Sequence, residues 1–429
     1  MKQIYKLLLS AVLLMPGCLV QGQTGEGLPT PAFHWQCASG PAYLNGHPAA
    51  IASALHFDSI PYSADYTVVA VYKPLSGTDA AVWTLNFADG SRRGLGTGSI
   101  VVDSMSIRCS GYGDSRPVVG SLRQSAPDST APYATLDLGN DSSVAVAEVL
   151  YFGHRLSNAA LRRVQSLLAL RYGITIGPVS YTNGHGASVW DYADSGTYHH
   201  RVAGIGNDTV SGLLQLRSRS EMEAPVLTLS SASLPAGSYL VAGDDSGDME
   251  FASAAGPELL LRTWRIQATG ISDIAARLVF DLSSIASPHD SVALVCGALA
   301  YPPTSCAGDS VVFDSVIFPQ GASLVTLGRG TALWQMAQGK KAGALQWQPG
   351  SDVAVSAYPN PGNGHYTLDI SNASEVTVTV YDIHGTVVAT HSGSGSRDHH
   401  FTGTLPGSGV YFATVSAAGS TQTLKLIVR

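Results

Sequence analysis

Apolar and polar positions alternate with period two along most of this chain, and one stretch near its middle turns helical. Val376, Val378 and Val380 alternate with Thr377, Thr379 and Tyr381, the pattern of a strand with one buried face. Residues 382–385 interrupt it and 386–390 resume it, so a hairpin is predicted. Residues 409–415 and 421–428 form a second such pair. Further strands are predicted over 64–74, 82–87, 144–152, 276–282 and 291–295. From 159 to 172 the period changes. Leu161, Val164, Leu168 and Tyr172 fall on one helical face, with Arg162, Arg163 and Gln165 off it. Ser157 is placed to cap the start of this helix and Gly173 to end it in a left-handed turn. Residues 33–57 follow no clear pattern. The expected fold class is mainly β.

The amino-terminal end differs from the body. Lys2 and Lys6 precede an apolar run from Leu7 that extends to Val20 and is interrupted by Pro16 and Gly17. It is too short to cross ~30 Å of hydrocarbon as a helix, and small residues before Gln23 suit cleavage, so residues 1–22 read as a signal peptide. A lipoprotein anchored at Cys18 is the alternative, but Met15-Pro16-Gly17 matches the usual acceptor poorly. No later run is long enough for a transmembrane helix, so none is expected in the mature chain.

Charged residues make up 13% of the chain and the formal net charge is −7. Removing residues 1–22 takes away two lysines and no acid, leaving −9. A mildly acidic chain without a basic block argues against a nucleic-acid partner. An exported chain allows disulfides; Cys296 and Cys306 close a short loop and are the expected pair, leaving Cys37 with Cys109. None has zinc-site spacing.

At the carboxyl end, Val355-Ser-Ala-Tyr-Pro359-Asn360-Pro361 opens a segment that contains Tyr381-Asp382-Ile-His-Gly385 and Gly409-Val-Tyr411 and closes on Lys425-Leu-Ile-Val-Arg429. These motifs resemble the type A C-terminal sorting domain of cargo exported by the type IX secretion system of Bacteroidota. The resemblance implies a small Ig-like β-sandwich and a route through the periplasm to the outer-membrane surface or beyond. It also implies two partners, the secretion machinery and its sortase-like peptidase, which would cut within about 338–356. Residues 147–157 and 165–175 are similar to the last strand and closing helix of concanavalin A-like (laminin G-like) domains, which implies a two-sheet jelly roll. Val189-Trp190-Asp191, residues 198–208, 239–245 and 262–267 resemble a module that follows such domains in surface proteins, read as a further β-sandwich. The expected organisation is therefore 1–22 signal peptide, 23–178 concanavalin A-like domain, 179–345 β-rich module, and 346–429 linker and sorting domain.

Catalytic chemistry finds little support. A retaining glycosidase of this fold needs two carboxylates ~5 Å apart, and besides Asp65 at a strand start, Glu148 is the one carboxylate on a well-defined strand of the first domain. It is expected to bond backbone or an arginine such as Arg155. Asp245-Ser246-Gly247-Asp248 lacks the flanking pattern of a serine protease. The pairs His199-His200 and His399-His400 lack the i, i+4 helical spacing of a zinc site, and adjacent strand residues point to opposite faces. Asp244, Asp245, Asp248 and Glu250 crowd four carboxylates after a strand. They are candidate calcium ligands, although turn chemistry also explains them. No other cofactor is expected.

Triplets such as Asp58-Ser59-Ile60 and Asp314-Ser315-Val316 resemble an O-glycosylation acceptor pattern, or simply start strands after turns. The expected function is an exported surface protein, non-catalytic, whose jelly roll binds glycan or protein; Tyr112, Trp83 and Trp190 are candidate stacking aromatics, although each is more often a core residue. The alternatives are a secreted hydrolase of polysaccharide or peptide with an unrecognised site, and a purely structural surface component.

Overall fold

The computed structural model describes residues 27–428 apart from 52–54, 109–114, 128–129, 140–141, 223–225, 253–257, 286–291, 298, 331–332, 334–336, 338–353, 359, 361, 372, 374, 384–385, 396–397 and 418–419. The expected signal peptide and linker, Cys109, Tyr112, Pro359, Pro361, Gly385 and Arg429 lie outside the described residues. The chain is mainly β and divides into two compact units, residues 1–341 and 342–429.

Strand Asp65–Pro74 explains how the first unit is layered. Its residues are buried on both sides, as expected for a near-continuous apolar run. Tyr66, Val68, Ala70 and Tyr72 enter one core, while Val69 and Val71 enter another. Fully burying a side chain of this kind contributes about 1.5–3 kcal/mol, so a strand used on two faces anchors two layers.

The first of those cores lies between two antiparallel sheets. One runs in the order Val118–Ser125, Asp65–Pro74, Val144–Phe152, His47–Ile51, Ala42–Leu44, with Phe33–Gln36 also paired to Val144–Phe152. The other runs Leu55–Pro61, Tyr133–Leu138, Ala81–Asn86, Arg92–Gly96, Ser99–Val102, Met105–Arg108. The unpatterned segment at 33–57 thus supplies four short strands.

The second core is built on the helix Asn158–Tyr172. Ser157 accepts the Ala160 N–H at its start, and Gly173 ends it at φ 63°. Besides the expected face, Ser166, Ala169 and Leu170 are buried, because the helix is covered from two sides. Against it lies a second sandwich, whose larger sheet runs Leu213–Gln215, His200–Asp208, Ser238–Asp244, Trp264–Thr269, Gly321–Arg329, Glu258–Leu260, Phe251–Ala252. Val202, Tyr239 and Val241 of that sheet share the helix core, while Leu240 and Ala242 face the next one. A Cβ on Gly204 would come within 3.1 Å of Leu170 and 2.9 Å of Val241, so glycine there lets helix and sheet touch. The remaining sheet runs Arg217–Arg219, Leu227–Ser230, Ile274–Asp281, Ser310–Phe318, Ser305–Ala307. The helix therefore serves both sandwiches and does more than close the first.

Residues 354–428 form their own sandwich. Ala354–Tyr358, His365–Ser371 and Asp398–Thr404 make one sheet, and Val387–Ser394, Glu375–Tyr381, Gly409–Ala417 and Ser420–Val428 the other. The valines read from the alternation, Val376, Val378 and Val380, meet Tyr366, Leu368 and Ile370 in its core. Both predicted hairpins form.

The structure does not show the expected disulfides. Cys296 and Cys306 sit on strands of different sheets and are not bonded to each other; Cys37 donates its thiol to the Ser39 carbonyl (3.2 Å), and its expected partner Cys109 lies outside the described residues. Trp83 and Trp190 are buried and unable to stack on a ligand. Among the described residues no helix is long and apolar enough to cross a membrane, which says nothing of spanning strands.

Candidate functional site: the carboxyl-terminal clasp and the buried ion pairs

The motif residues of the last sandwich fall into two structural groups. Asn360, between the two prolines, clasps the final strand. Its Nδ2 donates to the Lys425 carbonyl (2.6 Å) and its Oδ1 accepts the Ile427 N–H (2.9 Å). The Gly362 N–H then donates to the Ile427 carbonyl (2.8 Å), and Gly362 bridges Val428 in parallel. The opening and closing motifs, far apart in sequence, are thus one contact. An amide is the group that suits this, since it offers donor and acceptor side by side.

At the hairpin turn, the Asp382 N–H donates to the Thr386 carbonyl and the Thr386 N–H to Asp382 Oδ1, both at 2.9 Å. Tyr381 pairs across to Phe412, and buried Tyr411 donates its hydroxyl to the Gly407 carbonyl (3.0 Å). Gly409 and Lys425 hold ladder positions opposite Val428 and Phe412.

Sequence reading missed a cluster on the open face of the three-stranded sheet. Tyr358 donates to Asp369 Oδ2 (2.7 Å), and the His400 ring bonds Asp369 Oδ1. Those hydrogen bonds hold the Asp369 carboxyl below its ordinary range and push the Tyr358 hydroxyl up. His399 points the other way and lies parallel to Phe401. The period-two rule gave the split of the two histidines but offered no cross-strand register to find Asp369.

Glu148 occupies the helix side of its strand because the ladder slips between Val146 and Glu148. Its partner is an arginine, as expected, but Arg171 in place of the example Arg155: Arg171 Nη1 donates to both carboxylate oxygens at 3.0 and 2.9 Å. Tyr172 adds a hydroxyl at 2.9 Å, and His34 Nε2 lies 2.8 Å away. Burial pushes the carboxyl up, but Arg171, His34 and Tyr172 outweigh it and hold the group at about 2. A carboxylate so engaged cannot act as a general acid at neutral pH.

The four crowded carboxylates do not converge. Asp244 is buried against Arg201, with Arg201 Nε donating to Oδ2 at 2.7 Å. Asp245 accepts the Gly247 and Thr263 N–H groups (2.9 and 3.1 Å), a turn role. Asp248 and Glu250 are exposed. Among the described residues no group of three or more His, Cys, Asp or Glu is arranged to hold a metal ion. Of the acceptor-like triplets, Ser59 and Ser315 are exposed at left-handed φ of 63° and 57°.

Residues 356–429 match the secretion system C-terminal sorting domain, the segment held by the Asn360 clasp. Residues 160–300 match a domain of unknown function, DUF8202, which begins inside the helix and so groups it with the second sandwich. No curated protein matches. The chain has low similarity to dimeric latent PorU from Porphyromonas gingivalis (13% identity over 85% of this chain and 29% of that one, TM-score 0.17). It is similarly distant from a cycloisomaltooligosaccharide glucanotransferase of Paenibacillus sp. (12% identity over 68% and 45%, TM-score 0.15). The chain thus spans under half the length of either structure, and neither likeness carries an argument. The sorting domain does: it marks an exported protein, handled by the type IX secretion machinery and delivered to the cell surface or outside.

Proposed function

We propose that this protein is a surface-delivered binding protein, whose first sandwich is a concanavalin A-like jelly roll over residues 23–178 that holds glycan. The second sandwich, 179–345, supports it through the shared helix, and residues 346–429 are the detachable address. The observation that carries the reading is the sorting match at 356–429 joined to a two-sheet domain whose first strand pairs its last long one. Glu148, the strand carboxylate best placed for catalysis by sequence, is bound to Arg171, which favours gripping over cutting. Two experiments test it. Truncation before Tyr358 is expected to leave the protein in the periplasm, and mass spectrometry of the surface form is expected to end within 338–356; an intact Arg429 there contradicts the detachable tail. A glycan array probed with the mature protein tests binding, and a blank array leaves only a structural component.

A hydrolase is the second reading, and it has one geometric foothold. Asp58 and Asp137, on neighbouring strands, bracket His56 at 3.1 and 2.6 Å, and Asn86 holds Asp137 from the other side (2.7 Å). Turnover of any polysaccharide or peptide that is lost in Asp137→Asn would favour it.

A further inference from the structure

A cleft of about 650 Å³ opens in the first unit between the edge strand Val118–Ser125 and the first half of the helix, with residues 175–179 at one end. Arg116 and Arg162 line it, and none of its described lining residues is acidic, although the chain carries a net charge of −7.

Arg162 is the informative group. Its Nη1 is enclosed by protein and has no hydrogen-bond partner among the described residues. Burial pushes the guanidinium below its ordinary value, and among the described residues no carboxylate opposes the shift. Arg93, Arg171 and Arg201, by contrast, each hold an acid: Asp103, Glu148 and Asp244. The rest of this half-buried side chain keeps access to the cleft, and a guanidinium with an unmet N–H gains most from an anion that can accept from it.

We infer that this cleft binds a saccharide bearing a carboxylate, with Arg162 and Arg116 as its cationic contacts. The inference rests on the glycan-binding reading above and adds the place and the charge class. A planar guanidinium matches a carboxylate through two parallel N–H···O bonds. The other walls suit a sugar. Gln165 gives its amide N–H to Ser121 (3.1 Å), which leaves its carbonyl to accept from a ring hydroxyl. Thr175 accepts the Val202 N–H (2.9 Å), which leaves its own hydroxyl proton to donate. Pro117 and Ile176 add apolar surface for ring C–H groups. The volume exceeds what an inorganic anion fills and lies within the ~300–1,000 Å³ usual for small-ligand sites.

Calorimetry on the purified full-length chain tests this with tri-galacturonate, its methyl ester, maltotriose, sodium acetate, sodium sulfate and a short polyglutamate. Tri-galacturonate is expected to bind, and methyl esterification or Arg162→Gln to weaken it ~10- to 100-fold, the range for a charge-assisted hydrogen bond. Arg155→Gln, at an exposed cation outside the cleft, is expected to change nothing. Arg116→Gln serves as the second variant should Arg162→Gln misfold by circular dichroism. Uronate binding unchanged in both cleft variants overturns the site. Maltotriose bound equally by all forms also overturns it, while leaving the glycan-binding reading standing. Acetate, sulfate or polyglutamate bound as tightly as tri-galacturonate overturns the saccharide class, as does a chain that binds none of the probes.

Discussion

Glu148 in the first unit and Asp369 in the carboxyl-terminal sandwich each gather a histidine ring and a tyrosine hydroxyl. They differ in solvent and in one further partner. Glu148 is 1% exposed and bound by Arg171, whereas Asp369 is 40% exposed and, among the described residues, meets no arginine. Water would solvate Asp369 almost as well as its neighbours do, so those contacts decide orientation more than energy. Glu148 has no such alternative. Its network ties the strand Val144–Phe152, the end of the helix and the strand Phe33–Gln36 into one polar knot between apolar layers.

The contrast breaks most sharply under substitution of one partner. Glu148→Ala leaves Arg171 buried with an uncompensated charge, and breaking a buried pair from one side typically costs about 3–5 kcal/mol. Urea unfolding, followed by fluorescence of the core tryptophans Trp35 and Trp83, is expected to show that loss. The double change Glu148→Leu with Arg171→Met removes both charges and is expected to recover most of it. A single variant as stable as wild type would show that water reaches the pair.

Acid sharpens the same point. The Glu148 carboxyl is held at about 2, below its ordinary 4.5. A group lowered by folding contributes fully above its unfolded value and loses that contribution as the pH falls through the folded one. The contribution, about 3 kcal/mol by that difference, is therefore expected to be complete above pH 4.5 and to fade toward pH 2. The double variant is expected to lose less stability than wild type across that window, measured by urea midpoints at each pH.

Much of this was legible beforehand, and the failures have local causes. The strands at 65–74, 144–152 and through the last sandwich follow from period two, and the helix from its face and its caps. Arg171 was missed because strict alternation sets Glu148 on the face of Val144 and Val146; the slip at that point turns it toward the helix, and nothing in Ala147-Glu148 announces a bulge. The four strands within 33–61 were missed because three of them are only three to five residues long, too short for a period to show. The acidic run at 244–250 suggested a cation because sequence lists neighbours, while the fold had already assigned Asp244 to Arg201, a residue far upstream. Arg162 was read correctly as lying off the buried face, but its enclosed nitrogen depends on a second wall that only the folded chain supplies.

The effect expected at Asn360, a neutral clasp at the surface of the last sandwich, is intermediate between those at the two carboxylates. Asn360→Ala removes a donor and an acceptor from the final strand, at about 1 kcal/mol net per hydrogen bond, less where water replaces it. Hydrogen exchange is expected to show faster exchange at the Ile427 amide while the Val378 amide, in a central strand, stays protected. Equal acceleration at both would mean that the motif holds up the whole sandwich and not only its closing strand.

The smallest effect belongs to Asp369. Asp369→Asn keeps the shape and can still accept from Tyr358, and the neighbouring His400 ring is itself exposed. The urea midpoint of the last sandwich is expected not to move, and the Tyr358 hydroxyl, raised by its hydrogen bond to the carboxylate, is expected to titrate nearer its ordinary value. Ultraviolet difference spectra against Asp369→Asn would read that shift, since phenolate absorbs where the phenol does not. A midpoint that falls as far as in Glu148→Ala would erase the distinction between the buried acid and the exposed one, because solvent would then have failed to replace what the substitution removed.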